Sequence, residues 1–363
     1  MKLIQFVLSS PGLLVAASLL AATPALAQTE RKTVAGSSIS VYNIAGHVTV
    51  EAGTGADVIV EVERAGHDSK KLTIAVGEVR GRNALRVIYP DNDIVYRDAG
   101  TRWQSRRGNN SGTQFSVHDD GTWGDERGRS SGHRVRVKDG GSGLEAWANL
   151  KVFVPAGKNL QVSLGVGDLS ARGVSGDLRL EAASAHITVS NTNGNLTVDN
   201  GSGGVEVRDV KGDEVSIDAG SGGVDFSGVT GKRCKIDTGS GGVTGAALYC
   251  DDVNIDVGSG SIRVDDATAP RVKLDAGSGG IRFALRNSPG DLHVDAGSGG
   301  VTISLPAIAD AQVDIETGSG GIDTDFPIEV RRVERNHLRG TVGDGSGRIR
   351  ISSGSGTVTL RKN

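Results

Sequence analysis

The sequence predicts an all-β chain, a single-stranded β-solenoid (β-helix) built from coils of about 19 residues with two short strands in each. Three observations carry this. First, Gly-Ser-Gly-Gly, once Gly-Ser-Gly-Ser, followed by Val or Ile starts at Gly201, Gly220, Gly239, Gly258, Gly277, Gly297 and Gly318, at spacings of 19, 19, 19, 19, 20 and 21 residues. Second, aliphatic and polar residues alternate between these glycine-rich corners, the period of a half-buried strand. Third, 55 of 363 residues are Gly and only 4% are aromatic, a composition suited to tight corners around a thin aliphatic interior.

Residues 1–27 read as a signal peptide. Lys2 supplies a basic start, Leu13 to Ala22 an apolar run, and Ala25-Leu26-Ala27 a small-x-small cleavage site. The run is too short for a spanning helix and no later stretch is long enough, so no membrane anchor is expected after cleavage. Residues 28–90 read as irregular first coils, with strand-like runs at 58–62, 72–76 and 85–88. Gly46 to Gly55 follows the pattern of Gly212 to Gly222 nearly position for position. Residues 91–149 lose the period. This polar insertion holds nine acidic and nine basic residues together with Trp103, Trp123 and Trp147, and is expected to be flexible. Residues 150–363 form the regular solenoid with a C-terminal cap. Its final strands, around 348–352 and 357–360, carry charges that would blunt an open sheet edge.

One coil, Gly201 to Ala219, sets the pattern. Val205-Glu206-Val207 and Val215-Ser216-Ile217 alternate as strands, separated by a turn at Gly212-Asp213-Glu214. Stacked coils place Val205, Val224, Val243, Ile262, Ile281, Val301 and Ile322 in one internal column. Val215, Cys234, Val253, Val272, Leu292 and Val313 form a second, and the series from Ile217 to Ile315 a third. The outward positions change character at every rung.

Several constellations invite a chemical reading. Asp199, Asp218, Asp237, Asp256, Asp275, Asp295 and Glu316 fall in one register, where stacked like charges repel. Each carboxylate is expected to accept a hydrogen bond from the backbone of the corner it opens; a ladder of cation sites is the lesser alternative. Asp237-Thr238-Gly239 resembles an aspartic-protease string, yet its siblings in other repeats explain it as a corner. The seven His lack metal-ligand spacing, and the Ser-rich corners lack a base, so no catalytic, cofactor-binding or metal-binding residues are assigned. Cys234 and Cys250 would pair only if a corner shortened their separation, which in simple register exceeds the bridging limit of about 7 Å. Trp103, Trp123 and Trp147 are the candidate recognition residues, because large aromatics in a polar segment are frequent interface anchors. The alternative is that they fold back onto the solenoid wall. A net charge of −3 gives no reason to expect nucleic acid as a partner.

Leu150-Lys151-Val152-Phe153-Val154-Pro155-Ala156-Gly157, the Gly-Ser-Gly-Gly-Val and Gly-Asp-Leu corners, and the ending Leu338 to Gly343 through Gly354 to Val358 resemble a bacterial family. It is the β-strand-repeat "putative adhesin" family of uncharacterised domains, called toastrack, and it is similar to the head-GIN group. The resemblance covers 150–363 closely and 35–90 loosely, and it brings no catalytic residues. It implies an exported, non-enzymatic envelope protein, periplasmic or at the cell surface, that binds or scaffolds an envelope protein or polysaccharide. A polysaccharide-binding or polysaccharide-active β-helix is the alternative, and a periplasmic stress sensor a third reading.

Overall fold

The computed structural model describes residues 29–98, 100–101, 112–124 and 132–363; the signal-peptide segment and Trp103 lie outside these. The chain is all-β. Among the described residues, one 3₁₀ turn at Ser69–Lys71 is the only helix, and none is long and apolar enough to cross a membrane.

Strands stack in parallel at offsets of 18 to 20 residues. Val205 pairs with Val224, Val224 with Val243, Val243 with Ile262, Ile262 with Ile281 and Ile281 with Val301. Val215, Cys234, Val253, Val272 and Leu292 follow one another in the same way. These side chains are at most 3% exposed, so the columns form the aliphatic shaft that alternation requires. Burying β-branched side chains against like neighbours on adjacent rungs is the main source of stability here.

The glycine corners are fixed by backbone crowding. At Gly222, Gly241, Gly260, Gly279 and Gly299, a Cβ would land on the carbonyl oxygen of the matching glycine one coil away. The fourth corner position is more open, which is why Ser261 and Thr357 are accommodated there. Corner amides bond to the neighbouring coil: Ser221 N–H donates to Gly201 O at 3.1 Å and Ser240 N–H to Gly220 O at 3.0 Å.

Cys234 and Cys250 are disulfide-bonded with Cα atoms 6.2 Å apart, closer than simple register suggests. The turn at Gly231-Lys232-Arg233 explains this. Cys250 pairs with Gly231, and the chain then bends so that Cys234 Sγ faces the same spot. Reduction, or Cys234→Ala with Cys250→Ala, is expected to cost roughly 2–4 kcal/mol, the usual scale for a loop of this size. Urea unfolding with and without reductant would measure it.

At the N-terminal end, Ser38–Ala52 runs through both strand positions of one coil. Ile39 pairs with Leu160 and Val48 with Leu169, so Gly46 matches Gly167. The register read from Gly46 to Gly55 is therefore half a coil out, because both corner types begin with Gly before alternating aliphatics. The next segments turn away from the growing stack and build a cap. Val58–Ala65 and Thr73–Val79 pair antiparallel with Trp147–Val154 and Arg82–Ile88, and these two partners lie parallel against Ser38–Ala52.

The C-terminal end departs further from the expectation. Gly347–Ser353 lies between Asp291–Ala296 and Ala311–Thr317, paired in parallel with both. Val358–Lys362 is held in the same way between Val301–Leu305 and Ile322–Thr324. The last coil is thus interleaved: Val358 separates Val301 from Ile322, and Ile349 separates Leu292 from Val313. The final strands are not an edge. Among the described residues the edges at this end are Glu329–Glu334, exposed at every residue and paired only with His337–Val342, and Ile322–Thr324, paired only with Val358–Lys362.

Between the two ends, the described parts of the 91–149 insertion fold into a four-stranded sheet. Thr113–Val117, His133–Lys138, Asp93–Val95 and Leu144–Glu145 make it up, so these parts are ordered and not a flexible loop. The alternation in Arg134-Val135-Arg136-Val137 was the available signal; it lay outside the 19-residue period. Phe115 caps the bare backbone of Gly165 on the main sheet.

Candidate functional site

The residues of 325–363 include eight Arg or Lys and four Asp or Glu, a basic segment in a chain whose net charge is −3. The interleaved coil decides where those charges stand. Arg348 and Arg350 alternate with buried Ile349 and Ile351, so both face outward. Arg348 pairs in register with Asp291 and Gln312, and Arg350 with His293 and Asp314. Asp314 is opposite Arg339 on the next, antiparallel strand. Beyond it, a register shift between Val330 and Arg332 leaves Arg331 as the extra residue of a bulge. Together Arg331, Arg339, Arg348 and Arg350 surround a recess of about 240 Å³ floored by Gln312, Val313 and Asp314.

Charge in this basin is unbalanced. Arg339 donates to Asp314 Oδ2 at 2.6 Å, and His337 Nε2 lies 2.8 Å from Oδ1. Burial alone would raise the Asp314 carboxyl, but the hydrogen bonds from Arg339 and His337 outweigh it and hold it below the ordinary value. Asp314 is thereby occupied. Among the described residues, Arg331, Arg348 and Arg350 form no ion pair.

Elsewhere on the same face, opposite charges meet. Glu214, Arg233, Asp252, Arg271 and Asp291 follow one another on successive rungs, with Arg233–Glu214 at 3.1 Å and Arg271–Asp252 at 3.2 Å. That alternating ladder was legible in the repeat register and continues to Arg348 only because the last coil is inserted. The acidic column runs beside it from Asp199 to Asp295, and Ser352 interrupts it before Glu316.

The acidic column is not tied to its corners as expected. Among the described residues no corner amide in the repeats donates to these carboxylates; at the three corners where a polar residue follows them, its side chain closes the corner instead. Thr238 Oγ1 donates to Gly241 O at 2.6 Å, Thr317 Oγ1 to Gly320 O at 2.7 Å and Asn200 Nδ2 to Gly203 O at 2.9 Å. Nor, among the described residues, do three acidic, His or Cys side chains converge to hold a metal ion. The repulsion stands. Partial burial and then the carboxylates of Asp275 and Asp237 raise the Asp256 carboxyl, and burial with Asp199 and Asp237 does the same to Asp218.

A raised native carboxyl binds protons that the unfolded chain releases, so stability falls as pH climbs from 3.8 through the raised value. Asp256→Asn is therefore expected to stabilise at pH 7. Because the group is exposed and screened, the gain is a few tenths of a kcal/mol. It should vanish at about pH 3, below the 3.8 of an ordinary Asp, where Asp256 itself is protonated, and in high salt. Thermal melts at the two pH values test this.

Trp123 and Trp147 pack within the chain. Trp123 is 6% exposed and packs on Phe115 with ring centroids 5.1 Å apart. Half-buried Trp147 meets Tyr96 edge-on at 5.5 Å. Both rings are turned into the seam between insertion and solenoid, leaving little aromatic surface for a partner. Trp103 lies outside the described residues.

A sequence model of the family described as Toastrack DUF4097 matches residues 146–361. No curated protein matches the chain. Among solved structures, a "putative cell adhesion protein" from Clostridium sporogenes is similar over 93% of this chain and 99% of its own. Identity is 11% and the TM-score 0.22, too low for that likeness to carry an argument.

Proposed function

Because the chain belongs to the Toastrack DUF4097 family, we propose that it is a non-enzymatic, exported envelope protein. On this reading a single-stranded solenoid of roughly 19-residue coils serves as a rigid, adhesin-like module that binds a surface component or scaffolds other envelope parts. Residues 1–27 supply the export signal, and the Cys234–Cys250 disulfide suits an oxidising compartment, periplasmic or extracellular.

The observation that carries the binding role is the recess lined by four arginines, three of which form no ion pair among the described residues. The test is retention of the purified chain, starting at residue 28, on envelope fractions of its own cell. Saturable retention above that of an unrelated β-protein is the expected result. Retention no greater than that control would remove the binding role.

A further inference from the structure

We infer that the basin formed by Arg331, Arg339, Arg348 and Arg350 is a binding site for an acidic polysaccharide, gripping one anionic sugar unit at a time. This rests on the surface-binding reading above and specifies its partner.

Four observations point there. All four cations are Arg, whose planar fork matches a carboxylate or a phosphate-like group in two parallel hydrogen bonds, as a Lys ammonium cannot. Among the described residues three of them form no ion pair, although Arg348 stands beside Asp291 and Arg350 beside Asp314 on adjacent strands, so an incoming anion displaces no bonded partner there. The recess, about 240 Å³, is smaller than the roughly 300 Å³ at which ligand sites usually begin, and so suits no more than a single charged sugar. Gln312 in its floor offers an amide to sugar hydroxyls.

The acidic column explains why the site is confined to the cap. Along the stack, Asp275 and Asp295 stand two residues beyond Lys273 and His293 on the same outward face and would repel a polyanion. On the inserted coil the equivalent position is Ser352, so Arg350 has no such neighbour on its own strand. The four arginines come from three strands, with Ala311–Thr317 and its Gln312 and Asp314 between them, an order that exists only because the last coil is interleaved. Nucleic acid and lipid fit less well. Single-stranded nucleic acid favours aromatic stacking platforms, and the lining contains none. A bilayer surface would require a flat apolar rim, whereas the exposed aliphatics at this end are Val330 and Val333 on the edge strand and Ile308 on the linker before Ala311–Thr317.

Binding of the folded chain to polygalacturonate, with neutral dextran as control, tests the inference by cosedimentation and calorimetry. Wild type is expected to bind polygalacturonate and not dextran, with affinity falling steeply as salt rises. Arg348→Glu with Arg350→Glu should weaken this at least tenfold, while Arg263→Glu with Arg282→Glu, on another face column, should leave it within twofold. Arg331→Glu on the edge strand gives the same reading if the double variant fails to fold. Equal binding by wild type and basin variants overturns the inference. So does tighter binding to single-stranded DNA or to phosphatidylglycerol vesicles. Retention on envelope without polygalacturonate binding overturns this inference and spares the surface-binding role; failure of both removes the two together.

Discussion

Gly222→Ala is expected to destabilise the protein by about 3 kcal/mol or more, whereas Gly223→Ala, one residue on, should cost under about 1 kcal/mol. The methyl group at 222 would occupy the place of the Gly203 carbonyl oxygen. That obstacle is backbone, and its oxygen already accepts a hydrogen bond from Asn200 Nδ2 at 2.9 Å, so it cannot rotate away as a side chain would. Relief requires prising two coils apart, and the columns on either side of the corner would lose contact with them. At Gly223 the nearest atom to a new Cβ is the Gly242 oxygen at 3.4 Å, and register equivalents Ser261 and Thr357 already carry side chains. Urea titrations of the two variants measure the difference. Equal losses would mean that the corners need glycine for flexibility and not for close approach.

Removing residues 347–363 should have the larger effect and should unfold the C-terminal end. An ordinary terminal coil can be trimmed at the cost of one interface. This one has two, and Ile349, Ile351, Val358 and Leu360 are each at most 1% exposed. At roughly 2–5 kcal/mol for each large aliphatic lost from a core, the total rivals the stability of a whole domain. The flanking coils cannot simply close the gap. Only residues 306–310 link them, set to span two rungs, and closure would stack Asp295 directly on Glu316. The truncated chain is expected to become sensitive to trypsin at Arg331 and Arg335 and to show a second, lower melting transition. A melt within a degree or two of wild type would show that the coil is an appendage.

Much of the fold was legible in the residues. The three aliphatic columns from Val205 to Val301 stand in the register that the 19-residue period gives, because a strand's period of two and a fixed corner leave no freedom to slip. The same logic found the degenerate coils at Leu169 and Ile187, which pair as expected. It failed at Gly46, where the two corner types look alike once Ser is missing. It missed the order within the insertion, whose short strands repeat nothing. It also misjudged the acidic column, since spacing shows that carboxylates are near glycines but not where the corner amides point.

The candidate site shows the division most clearly. Arg331 and Arg339 are visible as a basic stretch in an enlarged corner, and Arg348 and Arg350 as outward residues of a last strand. Nothing in the linear order joins them. Periodicity, corner chemistry and the identity of the buried side chains are local properties, carried by residues a few positions apart, and the sequence by itself determined those. Which rung is adjacent to which is a long-range choice. It depends on both faces of a coil finding partners and on Arg348 finding Asp291 across 57 residues of chain. Only the tertiary structure decided that, and with it the position of the basin.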